Sequence, residues 1–260
     1  MQSVYTPGSS LLHRLHPLTK LAAAGLILAT TYLVPGALTP LALFALVVLL
    51  ALVGGVAGSI LGTVFKLILP IAISLFLIQG ILFPPAGSRP IAAVGPVTLT
   101  YEGLLFAYLI SARLLVLSAT VLLVLRTTHP ADLVYALTER GLPRSIGYIL
   151  LVSLQIVPDM TARATAILEA QRSRGLETQR GFFKVRAIVP LVGPLVVGAL
   201  VDVEERAMAL ESRAYTAPGP KTSLRQLIDS PAQRAARLLM LFAIVALIGS
   251  WEWAPNVDGA

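Results

Sequence analysis

Residues 21–65, LAAAGLILATTYLVPGALTPLALFALVVLLALVGGVAGSILGTVF, contain no charged side chain. About 20 consecutive apolar residues are enough to cross a bilayer, so this stretch holds two crossings, and Pro35-Gly36 supplies the helix-breaking link between them. The rest of the 260-residue chain agrees, being 56% hydrophobic and only 13% charged. An ordinary soluble domain carries ~25% charged residues, so too little charge remains to cover a water-facing surface. An integral membrane protein is expected, and a soluble enzyme is excluded. The apolar runs are continuous Leu, Ala, Val and Ile rather than ~10-residue alternating segments, which makes the spans helices and not barrel strands. The absence of cysteine rules out disulfides, thiolate metal sites and cysteine nucleophiles, and three histidines leave little for a metal cluster.

The fold class read from this pattern is all-α, a polytopic membrane protein with about five transmembrane helices. They are placed at 18–34, 37–53, 59–83, 103–125 and 236–251. Gly54, Gly55, Gly58 and Gly62 mark a turn and a small-residue face that lets helices approach closely. Lys66 can snorkel to the interface, Pro70 should kink the third span, and Phe83-Pro84-Pro85-Ala86-Gly87 ends it. Arg14, His16 and Lys20 ahead of the first run resemble the charged region of a signal peptide. Because further spans follow, the segment reads as a retained first helix.

Of the 20 Lys and Arg residues, 15 fall between Arg126 and Arg237 with 10 of the 13 acidic residues, so this block is the aqueous part of the chain. Basic flanks stay cytoplasmic. The expected organisation is therefore four spans in 1–125, a cytoplasmic helical coupling domain in 126–235 between the fourth and fifth spans, and a last span in 236–260. The N-terminus would be inside, 84–102 with only Arg89 outside, and the C-terminus outside, where Trp251 and Trp253 suit an interfacial belt. The net charge of +7 fits anchoring against anionic lipid, and no aromatic-interleaved basic patch suggests nucleic acid.

Inside the block, His129-Pro130 opens a short helix to Arg140 that Gly141-Leu142-Pro143 ends. Two longer helices are expected at 144–174, interrupted by Pro158, and at 183–215, interrupted by Pro190 and Pro194. They end alike, on Ala170-Gln171-Arg172-Ser173-Arg174-Gly175 and Ala209-Leu210-Glu211-Ser212-Arg213-Ala214, with the matching Ala, Ser and Arg 39 residues apart. Ala162, Ala166 and Ala170 form an i, i+4, i+8 line suited to close packing against another helix, and Asp202 and Arg206 form an i, i+4 pair. A basic residue in a last turn and a glycine cap have a bland explanation in the helix dipole. The second copy keeps its arginine with Ala214 in place of glycine, which capping alone does not ask for. A planar guanidinium is suited to entering a neighbour's acidic groove.

These residues resemble the transmembrane T component of energy-coupling factor transporters, the EcfT or CbiQ family. The resemblance runs from His16-Pro17-Leu18-Thr19-Lys20 through Arg113 and Thr127-Thr128-His129-Pro130-Ala131-Asp132-Leu133 to Pro143, Pro158 and both arginine motifs. The family signature is a pair of Ala-Arg-Gly or Ala-Arg-Ala triplets on two cytoplasmic coupling helices, and here Ser173 and Ser212 replace the first alanines. The resemblance implies an energy-coupling subunit of a vitamin or transition-metal importer, cobalt or nickel among the metals, in a bacterial or archaeal cytoplasmic membrane. Its implied partners are two ABC-type ATPases that bind ATP and Mg, a substrate-binding S component, and the bilayer. Ser173, Arg174, Gly175, Ser212, Arg213 and Ala214 would meet the ATPases. The chain itself would hold no cofactor and catalyse nothing.

The residues alone add that no G-x-x-x-x-G-K-[ST] phosphate loop occurs, so energy must come from a partner or an ion gradient. An ion-coupled secondary transporter would show repeated spans with broken helices and midplane carboxylates, whereas Arg113 is the firm intramembrane charge and no carboxylate lies within an expected span. An intramembrane enzyme would need a nucleophile with a base or clustered ligands. His13, His16 and His129 lie at helix edges, and Asp202, Glu204 and Glu205 read as a solvated face. A mid-membrane arginine costs at least ~2.5–3.5 kcal/mol, so Arg113 should be paired inside the bundle or sit in a wet crevice.

Overall fold

The structure, a computed structural model, describes residues 6, 8, 10–82, 90–94, 97–175, 188–219 and 227–253. Helices α1 (Leu11–Arg14), α2 (Pro17–Leu33), α3 (Thr39–Val53) and α4 (Ala57–Leu77) come first, and a π-helical turn at Ile78–Leu82 extends α4. A two-stranded antiparallel hairpin, β1 (Pro90–Val94) and β2 (Val97–Thr100), precedes α5 (Tyr101–Thr127). Then follow α6 (Pro130–Glu139), α7 (Arg144–Ser173), α8 (Ile188–Ser212) and α9 (Pro231–Trp253). The class is all-α with this small hairpin added. The expected ending at Phe83–Gly87, Arg89, Arg180 and residues 183–187 of the second long helix lie outside the described residues.

The chain divides into two compact units, a bundle of Gln2–Gly141 with Leu227–Ala260 and a helix pair within Leu142–Gln226. Composition put the aqueous block at 126–235, whereas the contact division leaves 126–141 and 227–235 with the bundle. Among the described residues four helices are long and apolar enough to cross a membrane, at Ala57–Gly80, Tyr101–Thr127, Arg144–Ser173 and Pro231–Ser250. Helices α2 and α3 are shorter, with 17 and 15 residues. The expected spans correspond to α2, α3, α4 with its π turn, α5 and α9. Helix α9 begins earlier than expected, so Arg234 and Arg237 sit in its first two turns instead of in a flanking loop.

In the bundle, α5 packs against α2, α3 and α4, and α9 packs against α2. Ala57, Ile60, Val64 and Ile68 recur every three or four residues on α4 and are buried against Val116, Ala119 and Leu123 of α5 and Val47 and Ala51 of α3. The interior is made of small and β-branched residues that let helices approach. The outward faces carry Leu46, Leu49 and Leu52, then Phe65, Leu67 and Leu69, then Leu238, Leu239 and Phe242. That inside-out distribution is what a hydrocarbon solvent permits. The closest approach is at Gly103, where a Cβ would overlap the Gln79 carbonyl of the π turn. Among the described residues the small-residue face expected at Gly58 and Gly62 takes no part in packing, because a Cβ at either would meet no described atom within 4 Å.

Helices α2 and α6 begin with the same device. Pro17 and Pro130 occupy first-turn positions, where a missing N–H costs nothing. His16 and His129 cap them, each Nδ1 accepting at 3.3 Å from the backbone N–H two residues on, Leu18 and Ala131.

Candidate functional site

Within the second unit α7 and α8 form an antiparallel pair. The Tyr148 and Tyr215 ring centroids are 5.6 Å apart, Arg206 Nη2 lies 3.8 Å from Asp159 Oδ2, and Arg163 Nη2 lies 2.9 Å from Asp202 Oδ2. Gly198 leaves room for the Arg163 guanidinium, since a Cβ there would come within 2.7 Å of Arg163 Nη1. Both helices run through their prolines, Pro158 and Pro194. An apolar cavity of about 310 Å³ lies between them, walled by Val152, Ile156, Met160, Val203, Ala207 and Leu210.

Two expectations for this pair are corrected. Ala162, Ala166 and Ala170 are exposed, while the half-buried line on α7 is Val152, Ile156, Met160, Arg163, Ile167 and Gln171. The cross-helix ion pairs and the larger apolar side chains define the contact face, and the alanine line flanks that face, exposed. Pro158 is likewise exposed, its carbonyl accepting from Thr161 Oγ1 at 2.7 Å. Asp202 and Arg206, expected to pair along α8, reach across to Arg163 and Asp159.

The two Ser-Arg ends are built alike. Ser173 Oγ donates to the Glu169 carbonyl at 3.1 Å and Ser212 Oγ to the Ala209 carbonyl at 3.0 Å. Both hydroxyls are thus turned back into their own helices. The residue after each arginine is left-handed, Gly175 with φ +90° and Ala214 with φ +53°. Each donates its N–H at 2.9 Å to a carbonyl three residues back, Arg172 and Glu211 respectively. Ala214 therefore takes the cap conformation usually given to glycine, at a cost of roughly 1–2 kcal/mol for its Cβ. Arg174 and Arg213 are exposed, and among the described residues neither guanidinium makes a hydrogen bond or ion pair. Because the helices are antiparallel, Arg213 stands near the start of α7 and Arg174 at its far end. At ~1.5 Å per residue the two are roughly 35 Å apart along the pair.

In the bundle the structure gathers residues that the sequence scatters. Arg237 Nη2, Arg140 Nη2 and Arg234 Nε lie 2.9, 3.1 and 3.2 Å from the same Asp229 Oδ2. Arg237 Nη1 donates to His16 Nδ1 at 3.3 Å, and the His16 backbone N–H donates to Gln233 Oε1 at 2.9 Å. Lys20 is buried and donates from Nζ to the Thr127 carbonyl at 2.7 Å. Burial lowers the His16 pKa, and the Arg237 charge adds to the effect, against the opposing charges of Asp229 and Glu139. Burial raises that of Asp229, but the hydrogen bond and charge of Arg237, with Arg140 and His16, outweigh it and hold the carboxyl below its usual value. Sequence reading missed Asp229 altogether. Its only sequence signal is an acid two residues before Pro231 at the head of a basic-flanked span.

Among the described residues Arg113 finds no carboxylate. Its guanidinium carbon lies 5.7 Å from the centroid of Tyr32, a cation–π contact, and its Nε is buried without a hydrogen bond. Among the described residues no three His, Asp or Glu side chains are grouped to hold a metal ion.

A family model described as CbiQ, cobalt transport protein, matches residues 8–224. The energy-coupling factor transporter transmembrane protein EcfT of Bacillus subtilis is 31% identical, with 94% of this chain and 95% of that protein covered. The EcfT proteins of Streptococcus equi, at 30% identity over 86% of each chain, and of Thermosediminibacter oceani, at 26% identity over 96% of this chain and 97% of its own length, are similar too. The apolar bundle, the paired helices ending on matched arginines and these similarities together place the chain, a multi-pass membrane protein, in the CbiQ/EcfT family of transmembrane components of energy-coupling factor transporters.

Proposed function

We propose that this chain couples two cytoplasmic ABC-type ATPases to a substrate-binding S component, with Ser173-Arg174-Gly175 and Ser212-Arg213-Ala214 as the two ATPase contacts. The observation that carries the proposal is the pair of matched helix ends, each presenting an exposed arginine that pairs with none of the described residues, at opposite ends of one antiparallel pair. Two ends roughly 35 Å apart suit two separate ATPases. Closure of the ATPases on ATP and Mg, bound by them and not by this chain, would change the distance between the ends. The rungs Arg163–Asp202 and Arg206–Asp159 would make α7 and α8 respond as a pair.

The apolar faces that α7 and α8 expose, including Ile149, Leu150 and Val157 on one and Val197, Leu200 and Val201 on the other, are suited to covering by another membrane protein. The S component fits that role and would carry the substrate. The family description names cobalt, which supports a transition-metal ion as cargo; a vitamin is the other candidate. Helix α7 has the length of a span, but its second half carries Asp159, Arg163, Glu169 and Arg172. We therefore assign it to the cytoplasm, with the N-terminus inside and the C-terminus outside.

Co-purification of tagged ATPases with this chain tests the assignment. A hydrogen bond to a charged group contributes ~1.5–3 kcal/mol, and charge reversal adds repulsion. Arg174→Glu with Arg213→Glu should lose most ATPase association, while Arg180→Glu, outside the repeat, should keep it. Undiminished co-purification of the double variant would overturn the contact assignment.

A further inference from the structure

Between α2 and α9 runs a groove of about 690 Å³ whose walls are Leu18, Leu21, Ala22, Leu238, Leu241 and Ile244, with Gly25 also lining it opposite Ile244. Arg140, Arg234 and Arg237 line the same groove at one end. Apolar walls between two membrane-spanning helices, ending on a guanidinium cluster, match the two halves of a phospholipid. We infer that this groove is a binding site for one anionic phospholipid, its phosphate on the arginines and its acyl chain along α2 and α9.

The charge balance selects the headgroup. Three guanidiniums share one carboxylate oxygen, Asp229 Oδ2, and even with Glu139 close enough to act on His16 the mouth keeps a net positive charge. His16, beside Arg237, accepts a hydrogen bond on Nδ1 and adds none. Arg237 is 8% exposed and committed to Asp229 and His16, whereas Arg140 and Arg234 are 51% and 62% exposed. The buried arginine holds the cluster together, and the two exposed ones keep donors for a phosphodiester. A planar guanidinium donates to phosphate oxygens in pairs, so a zwitterionic headgroup, whose own ammonium offsets its phosphate, gains less. The apolar walls reject a free phosphate ion as the intended occupant, because they offer it nothing.

The groove lies wholly within the bundle, so the inference stands apart from the coupling assignment above. Its test is native mass spectrometry of the full chain in a neutral detergent, titrated with phosphatidylglycerol or phosphatidylcholine. One phosphatidylglycerol should be retained per chain in preference to phosphatidylcholine. Arg234→Gln should weaken retention by about tenfold, the scale of one charged hydrogen bond, while Lys66→Gln on α4 should not change it. Gly25→Leu, which adds bulk to the groove's apolar lining beside Ile244 without touching a charge, should displace the lipid as well. Millimolar inorganic phosphate should leave phosphatidylglycerol bound. Equal retention of both lipids, equal loss in Arg234→Gln and Lys66→Gln, or displacement by inorganic phosphate would overturn the site. So would a photo-crosslinker at Ala22 that captures an S component or ATPase in the assembled complex instead of lipid.

Discussion

Arg163 on α7 and Asp202 on α8 face each other at 2.9 Å, with Gly198 making room for the guanidinium. The pair is partly exposed, so its direct contribution is only ~0.2–1 kcal/mol. Its importance is directional, because it fixes which face of α7 meets α8. A double-mutant cycle with Arg163→Gln and Asp202→Asn on the thermal unfolding of the purified chain should give a coupling within that range. Gly198→Leu should be more damaging than either, since the new side chain takes the guanidinium's place.

Ala214 holds a left-handed conformation with φ +53° while Gly175 holds the same place at the other end. Ala214→Gly should tighten the α8 terminus by about 1 kcal/mol, the strain of an L residue there. Gly175→Ala should loosen the α7 terminus by a similar amount. Hydrogen exchange at the amides of Ala214 and Gly175 reads both, with slower exchange at Ala214→Gly and faster at Gly175→Ala.

The His16 cluster makes bundle stability depend on pH. A histidine whose folded pKa is lowered binds fewer protons folded than unfolded, so stability is retained above 6.5 and falls as pH drops from there toward the folded pKa. Asp229, with a lowered carboxyl pKa, contributes above its ordinary 3.8 and loses that contribution only as pH falls through its folded value. The thermal midpoint of the purified chain should therefore drop in acid in a first step that His16→Asn abolishes, since asparagine offers an acceptor without titrating.

Topology is testable because the chain has no cysteine. Leu38, 75% exposed in the α2–α3 link, should lie outside and Ala217, after α8, inside. In intact cells an impermeant thiol reagent should label Leu38→Cys and spare Ala217→Cys. Equal labelling would contradict the assignment of α7 to the cytoplasm.

The helices were legible where the solvent leaves a one-dimensional mark. Long apolar runs announced α2 to α5, and Pro-Gly, His-Pro and Gly-rich links announced their ends. The hairpin at β1 and β2 was not read, although Gly95-Pro96 between β-branched residues was its signal. The alanine line at Ala162, Ala166 and Ala170 misled because alanine at fourfold spacing fits a packed face and a bare one equally. The ion pair that decides between them joins Arg163 and Asp202, 39 positions apart. The Asp229 cluster was illegible for the same reason, since Arg237 and His16 are 221 positions apart. The matched Ser-Arg ends were legible because a repeat is visible without pairing, but only φ at Ala214 shows that the second end closes like the first.

The most direct test of the coupling account is ATP-driven substrate uptake into vesicles holding this chain, its ATPases and an S component. Arg174→Gln and Arg213→Gln, made singly, remove one contact each without reversing charge. Each should reduce uptake about tenfold or more, the scale of one charged hydrogen bond, even in preparations where both ATPases still co-purify, because transmission needs both ends. Arg180→Gln should transport like the parent. Parent-like uptake by both single variants, or an equal loss in Arg180→Gln, would contradict the account and reduce the Ser-Arg repeats to helix ends.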